Sequence, residues 1–226
     1  ILTHNTLSAI LYSEMNNFEK VLVITPNSLK FNFYNEVQKF TNSLAYVVNW
    51  RHNNCSIEDA KYVIVNYDFF NPSSKDKFIK KWNGLKIPII DAVICDESQK
   101  LKNTKANTYK NFKRIVGDKE IFRNQKISKI FLSGTPAPNR VYELYSILHE
   151  ISPVDFPTKK YFYEYYCGMT YDINSGWGYV TNTMEQKFEE LYHKIAPYTH
   201  RKRKFEVLKD LPDKIYQKII LELDDR

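Results

Sequence analysis

Two carboxylates stand side by side at Asp96 and Glu97, directly after the apolar run Ala92-Val93-Ile94-Cys95. A short run of this kind reads as a buried strand of a parallel sheet. The carboxyl ends of such strands are where open α/β sheets place ligands. Acidic groups there are costly to bury unless something positive compensates them. A Mg²⁺ ion carried by a nucleotide fits, because it takes oxygens from one or two carboxylates together with phosphates. For a lone Asp-Glu pair, a solvated acidic turn is the better reading. Two further sets weigh against it here. Ser133-Gly134-Thr135 closes the run Lys129-Ile130-Phe131-Leu132, and Thr25-Pro26-Asn27-Ser28 closes Lys20-Val21-Leu22-Val23-Ile24. Taken alone, Ser133 and Thr135 read equally well as ordinary turn residues.

The elements that must position these groups follow from hydrophobic spacing. Leu7, Ile10, Leu11 and Met15 predict a helix over residues 7–18. Lys20 to Ile24 predicts a strand stopped by Pro26, and Leu29, Phe33, Val37 and Phe40 predict a helix over 29–40. Strands are expected at 45–49, 62–67, 91–95 and 129–136, the last ending in a turn, with helices at 75–82 and 104–116. Strands alternating with helices at this interval imply an α/β fold, a parallel sheet with helices on both faces. From Val141 onward the pattern turns helical and aromatic, with no further strand expected before Ile215 to Leu223. The expected division is a lobe over 1–150, a helical appendage over 151–200 and a basic segment over 201–226.

Composition narrows the class. Apolar residues at 43% suffice for a packed core, and the scarcity of glycine (6) against tyrosine (17) excludes a linker-like chain. Lys and Arg outnumber Asp and Glu by 33 to 26, a balance that favours polyanionic partners. No apolar run is long enough to span a bilayer and the first residues carry no signal-peptide pattern, so no membrane partner is expected. Cys55, Cys95 and Cys167 have no metal-ligand spacing and read as reduced thiols. The expected setting is intracellular: the cytoplasm of a bacterium or phage-infected cell, or the nucleus if the source is eukaryotic.

Five ordered segments together resemble the Swi/Snf-type ATPases of helicase superfamily two. Ile24-Thr25-Pro26-Asn27-Ser28-Leu29 is similar to that family's motif Ia, and Val63-Ile64-Val65-Asn66-Tyr67 to motif Ib. Asp96-Glu97-Ser98-Gln99-Lys100-Leu101-Lys102-Asn103 resembles the DEAH-type box, and Leu132-Ser133-Gly134-Thr135-Pro136 with Asn139 resembles motif III. Arg201, Lys202 and Lys204, then Glu206-Val207 and Leu211-Pro212-Asp213-Lys214, resemble the basic segment leading towards a second motor lobe. Glu143-Leu144-Tyr145, Phe156-Pro157, Tyr161 to Tyr166 with Cys167, and Gly176-Trp177-Gly178 resemble the annealing-helicase (HARP-like) branch. Aromatic residues packing a helical appendage account for the same pattern.

The resemblance implies the N-terminal RecA-like lobe of an ATP-dependent DNA translocase acting on duplex or branched DNA. It assigns Asp96 to Mg²⁺, Glu97 to the water that attacks the γ-phosphate, and Gln99 to coupling with Ser133 and Thr135. Gln99 stands where the family usually has His, keeping a donor and an acceptor but no positive charge. Asn27, Ser28, Lys30, Asn66 and Tyr67 are placed to meet backbone phosphates, with Arg201 and Lys202 adding charge. Lys100 and Lys102 are further candidate cations.

One departure falls at the nucleotide site. The family has a Gly-rich loop with a Lys-Thr pair ahead of its first helix, whereas this chain reads Ile1-Leu2-Thr3-His4-Asn5-Thr6-Leu7. Ile1-Leu2-Thr3 is similar to the strand before that loop. Either His4-Asn5-Thr6 is a degenerate loop, or loop residues are missing between His4 and Asn5, which is the favoured reading. Thr6 is then either the Mg²⁺-binding, nucleotide-contacting hydroxyl or simply a residue of the first helical turn. A degenerate loop implies a competing function, a non-catalytic nucleic-acid-binding module; the motor lobe of a restriction complex shares the carboxylate box, but Ser133-Gly134-Thr135-Pro136 and Leu211-Pro212-Asp213-Lys214 favour the Swi/Snf type over it. A second RecA-like lobe is expected to complete the ATP site, so the lobe alone is expected to be inactive.

Overall fold

The computed structural model describes residues 3–87, 89–116, 127–137, 140–171, 178–180 and 185–201. The basic run from Lys202, the Leu211-Pro212-Asp213-Lys214 segment, the strand expected at Ile215 to Leu223, Asn139 and Gly176-Trp177 lie outside the described residues. The elements are α1 (Thr3–Met15), β1 (Val21–Thr25), α2 (Lys30–Phe40), β2 (Ala45–Val47), β3 (Tyr62–Asn66), α3 (Lys75–Asn83), β4 (Ala92–Cys95), α4 (Asn107–Val116) and β5 (Ser128–Phe131). They are followed by α5 (Tyr145–Ile151), α6 (Lys159–Cys167), β6 (Met169–Tyr171), β7 (Gly178–Val180) and α7 (Glu185–Ile195).

The strands form one parallel sheet in the order β2-β3-β1-β4-β5. Strand alternation sends Leu22, Ile24, Val63, Val65, Val93 and Cys95 to one face, where α3 and α4 cover them with Phe78, Trp82, Phe112 and Ile115. Val21, Val23, Tyr62, Ile64, Ala92 and Ile94 face the other side, under Ala9 and Ile10 of α1 and Phe33 and Val37 of α2. Both faces of the central strands are therefore buried, which explains their unbroken apolar character.

Several expected elements are corrected. Thr3 belongs to a helix, not a strand, and α1 continues through His4, Asn5 and Thr6 without a loop. No Pro or Gly interrupts Thr3 to Met15, so nothing breaks the helix. Its buried side is Thr6, Ala9, Ile10 and Ser13, while Leu11 and Met15 point outward. The Tyr62 hydroxyl donates to Glu14 at 2.8 Å and to the Ile10 carbonyl at 3.3 Å, fixing the carboxyl half of α1 at the start of β3. β5 runs over Ser128–Phe131, and Leu132 to Pro136 forms the turn expected at its end. The antiparallel pair β6–β7 was not expected, the region having read as wholly helical and aromatic.

Beyond the sheet, Tyr145, Leu148, Phe156, Phe162, Tyr166, Cys167 and Leu191 form a separate core rich in aromatic rings. The junction with the sheet is polar. Glu150 of α5 accepts from Tyr109 of α4 at 2.8 Å and from Lys129 of β5 at 3.1 Å, and its backbone carbonyl takes a second bond from Lys129 at 2.9 Å. This cluster anchors β5, which lies at the end of the sheet among the described residues. Glu150→Ala strands a buried phenol and a largely buried ammonium. The expected cost is about 2–4 kcal/mol, read as a lower urea midpoint at constant slope.

Candidate active site

The carboxyl ends of β1, β4 and β5 meet at Asp96. The register pairs Ile24 with Cys95, so the residues that follow, Thr25 and Asp96, are neighbours on one face of the sheet. Thr25 Oγ1 donates to Asp96 Oδ2 at 2.9 Å within the buried interior. The ladder continues past the strand ends: Asp96 N donates to Ile24 O, Leu132 N to Cys95 O, and Ser98 N to Leu132 O. Asp96 is only 8% exposed. Burial pushes its carboxyl above the usual range, and the neighbouring Glu97 charge adds to this, while the bonds from Thr25 and the Glu97 amide oppose it.

Glu97 lies at φ 51° and ψ 51°, the left-handed conformation that costs a non-glycine residue about 1–2 kcal/mol. That sharp turn lets the chain pass from β4 into a 3-10 turn at Ser98–Leu101. The Glu97 amide donates to Asp96 Oδ1 at 3.1 Å. Beyond it, Gln99 Nε2 donates to Glu97 Oε2 at 2.6 Å, and Ser133 Oγ donates to Gln99 Oε1 at 2.7 Å. A single primary amide thus spans the gap between the acidic turn and the hydroxyl turn, using one donor and one acceptor. Ser133 Oγ also accepts from the Thr135 amide at 3.1 Å, which shapes the turn, while the Thr135 side chain is exposed.

Asp96, Glu97, Gln99 and Ser133 are therefore brought together, and Thr135 stands at the rim. Thr6 lies on the buried side of α1, and no hydrogen bond links it to Asp96 or Glu97 among the described residues. Thr25 was missed as a member of the site. Its signal was available, since it ends a strand of the same apolar type and hydroxyls are natural donors to a strand-end carboxylate.

The nucleic-acid candidates divide. Asn27 and Ser28 are exposed at the end of β1, with Lys30 beside them half-buried. Asn66 ends β3 and its amide donates to Asn27 Oδ1 at 3.4 Å, so the two turns form one polar rim. Tyr67 differs from expectation: its side chain is buried and its hydroxyl donates inward to the Asp96 carbonyl at 2.7 Å. Lys102 is likewise committed, paired at 2.8 Å with the buried Glu143, so it is not a free cation for a phosphate backbone. Lys100 and Arg201 are exposed, and Lys202 lies outside the described residues. No helix among the described residues is long and apolar enough to cross a membrane.

Comparison with known proteins agrees with this architecture. The family description "SNF2-related domain" matches residues 3–226. The chain is 26% identical over 238 residues to a chromatin-remodeling ATPase INO80 of Cryptococcus neoformans, covering 98% of this chain and 12% of that protein. It is 27% identical over 219 residues to an uncharacterized ATP-dependent helicase, MG018, of Mycoplasma genitalium, covering 95% of this chain and 18% of that protein. The chain thus spans less than a fifth of these relatives' length. Among solved structures, the Sulfolobus solfataricus SWI2/SNF2 ATPase core in complex with dsDNA matches with a TM-score of 0.64 and 23% identity. That match covers 93% of this chain and 40% of the other, and the RecA-like α/β fold is shared.

The raised Asp96 carboxyl has a testable sign. Folding shifts Asp96 towards its neutral form relative to the unfolded chain, so the ionised group opposes folding, and this opposition is lost as pH falls through its folded value. Asp96→Asn is expected to melt about 2–4 °C higher than the parent at pH 8. The two melting points should converge as pH falls towards 4, which thermal scans across that range will read.

Proposed function

Because the chain belongs to the SNF2-related domain family, we propose that it is the N-terminal motor lobe of an ATP-dependent DNA translocase. The observation that carries this reading is the hydrogen-bonded chain Glu97–Gln99–Ser133, which joins the acidic turn to the hydroxyl turn at the ligand-binding edge of the sheet. In this reading Glu97 holds and activates the water that attacks the γ-phosphate. Gln99 fixes the Glu97 carboxylate, and it transmits the position of Ser133 without any protonation step. Phosphoryl transfer asks little of the protein beyond such positioning and electrostatic stabilisation.

Mg²⁺ suits the donors present. Asp96 supplies hard oxygens at the carboxyl edge, and a cation beside it offsets the burial that now raises its pKa. Among the described residues no three carboxylate, imidazole or thiolate groups cluster into a protein-only cage. In this reading the ion is held by Asp96, water and substrate phosphates. When bound, the ion neutralises charge developing on the transferred phosphoryl group.

On the DNA side, Asn27, Ser28, Lys30 and Asn66 form the proposed rim for backbone phosphates, with Arg201 adding charge. The SWI2/SNF2 core bound to dsDNA supports duplex as the partner. A second RecA-like lobe completes the ATP site, so this lobe alone turns over little ATP.

One observation favours a second reading, a nucleic-acid-binding module without catalysis. Residues 3–7 continue as helix, and Ile1 to Leu7 contains neither glycine nor lysine. ATP turnover by the two-lobed protein separates the readings. The motor reading expects DNA-stimulated hydrolysis that falls about 10²–10⁴-fold in Glu97→Gln while ATP binding persists. Absence of turnover in the parent protein favours the binding module. DNA affinity is expected to fall about 10²-fold or more between roughly 50 and 200 mM salt, with little dependence on sequence, in an anisotropy titration.

A further inference from the structure

Resting on the motor reading, we propose that Tyr67 is a positioning residue that couples the DNA-facing rim to the water-activating carboxylate. The peptide unit between Asp96 and Glu97 is held at both ends. Its carbonyl accepts from the Tyr67 hydroxyl at 2.7 Å, and its N–H donates to Asp96 Oδ1 at 3.1 Å. This peptide leads into Glu97, whose backbone sits in the left-handed region at φ 51°. A non-glycine residue stays there only where its surroundings over-determine the conformation. The buried phenol is the side-chain donor that fixes this carbonyl. Without it, the peptide is free to rotate towards ordinary backbone angles, and rotation re-aims the Glu97 side chain away from Gln99.

The other end of the lever faces outward. Tyr67 opens the 3-10 turn Tyr67–Phe70, directly after Asn66, whose amide bonds to Asn27 across the rim. The far end of the turn is anchored: Asn111 Nδ2 of α4 donates to the carbonyls of Phe70 and Pro72, each at 2.9 Å. Lys81 of α3 donates to the Phe69 carbonyl at 3.3 Å. A turn pinned at Phe69 to Pro72 responds to a load on Asn66 by moving Tyr67, and Tyr67 touches the peptide that sets Glu97. Burial also keeps the phenol protonated, so the donor persists at every working pH. Thr25 makes a parallel link, from the Asn27 turn to the Asp96 carboxylate. The rim and the acidic turn are thus joined by two buried hydrogen bonds, and Tyr67 supplies the one that acts on backbone geometry.

The test uses Tyr67→Phe in the full-length, two-lobed protein, which keeps the ring and removes only the hydroxyl. Tyr109→Phe is the control, because it removes an equally buried phenol bond, to Glu150, elsewhere in the same core. The measurements are ATP turnover with and without duplex DNA, DNA affinity in the absence of ATP, and melting temperature. Tyr67→Phe is expected to lower DNA-stimulated kcat about five- to tenfold, with DNA affinity and the KM for ATP within about twofold of the parent. Tyr109→Phe is expected to lose comparable thermal stability while keeping DNA-stimulated kcat. Parental kcat in Tyr67→Phe, a proportional loss of DNA affinity, or an equal loss of kcat in Tyr109→Phe overturns the inference alone. A parent protein without DNA-stimulated hydrolysis overturns the functional reading, and the inference falls with it.

Discussion

A carboxylate that ends a buried parallel strand has few ways to be solvated, and the structure around Asp96 is organised by that constraint. Its oxygens accept from the Thr25 hydroxyl on the neighbouring strand and from the amide of the next residue. Both donors require a specific backbone. Thr25 must stay in register with β4, and the chain must turn sharply enough after Asp96 for the Glu97 amide to fold back. The left-handed conformation of Glu97 accompanies the second requirement. It also sets the direction in which the chain leaves the sheet, and hence the reach of Gln99 towards Ser133. One desolvated charge thereby fixes the relative placement of three strand ends. These donors stabilise the ion without fully offsetting its burial, which leaves a site still favourable to a cation.

Much of the architecture was legible because the central strands are buried on both faces. Val21 to Ile24, Tyr62 to Val65 and Ala92 to Cys95 are continuous apolar runs ended by polar residues, and such runs have few alternatives to a parallel sheet. The acidic pair and the Ser-Gly-Thr turn could be placed at one edge for the same reason. What failed rests on other physics. Leu7, Leu11 and Met15 suggested the wrong face of α1, whose inward side is built from the small residues Thr6, Ala9 and Ser13 around Ile10. Small side chains allow close approach to the sheet but carry little hydropathy signal. Tyr67, at the end of the expected strand 62–67, is a candidate for meeting backbone phosphates. Its parity with Val63 and Val65 instead sends it into the core, where the phenol finds a carbonyl. Tyrosine is ambiguous by nature, having an apolar body with a polar tip. The β6–β7 pair was missed because three-residue strands are too short to show alternation.

The helices after β5 are joined to the sheet through charge as well as apolar contact. Glu143 and Glu150 are both buried where the chain leaves the lobe, and each holds a lysine from it, Lys102 after the acidic turn and Lys129 in β5. Buried pairs of this kind add little net stability but strongly penalise misplacement of either partner. The aromatic core behind them, where the Phe162 ring contacts both Tyr145 and Tyr166, gives α5 a rigid backing. Orientation of these helices is therefore linked to the segment that carries Gln99.

The edge position of β5 has a colloidal consequence. Among the described residues no strand covers its far side, and Ser128–Phe131 is only partly buried along its whole length. Natural sheets often protect such a margin with a projecting lysine that repels an incoming chain. Here the one lysine in the strand, Lys129, is drawn back onto Glu150. Lys129 is thus used inside the fold, and a β5 margin left bare would offer a template for pairing with a strand of another molecule.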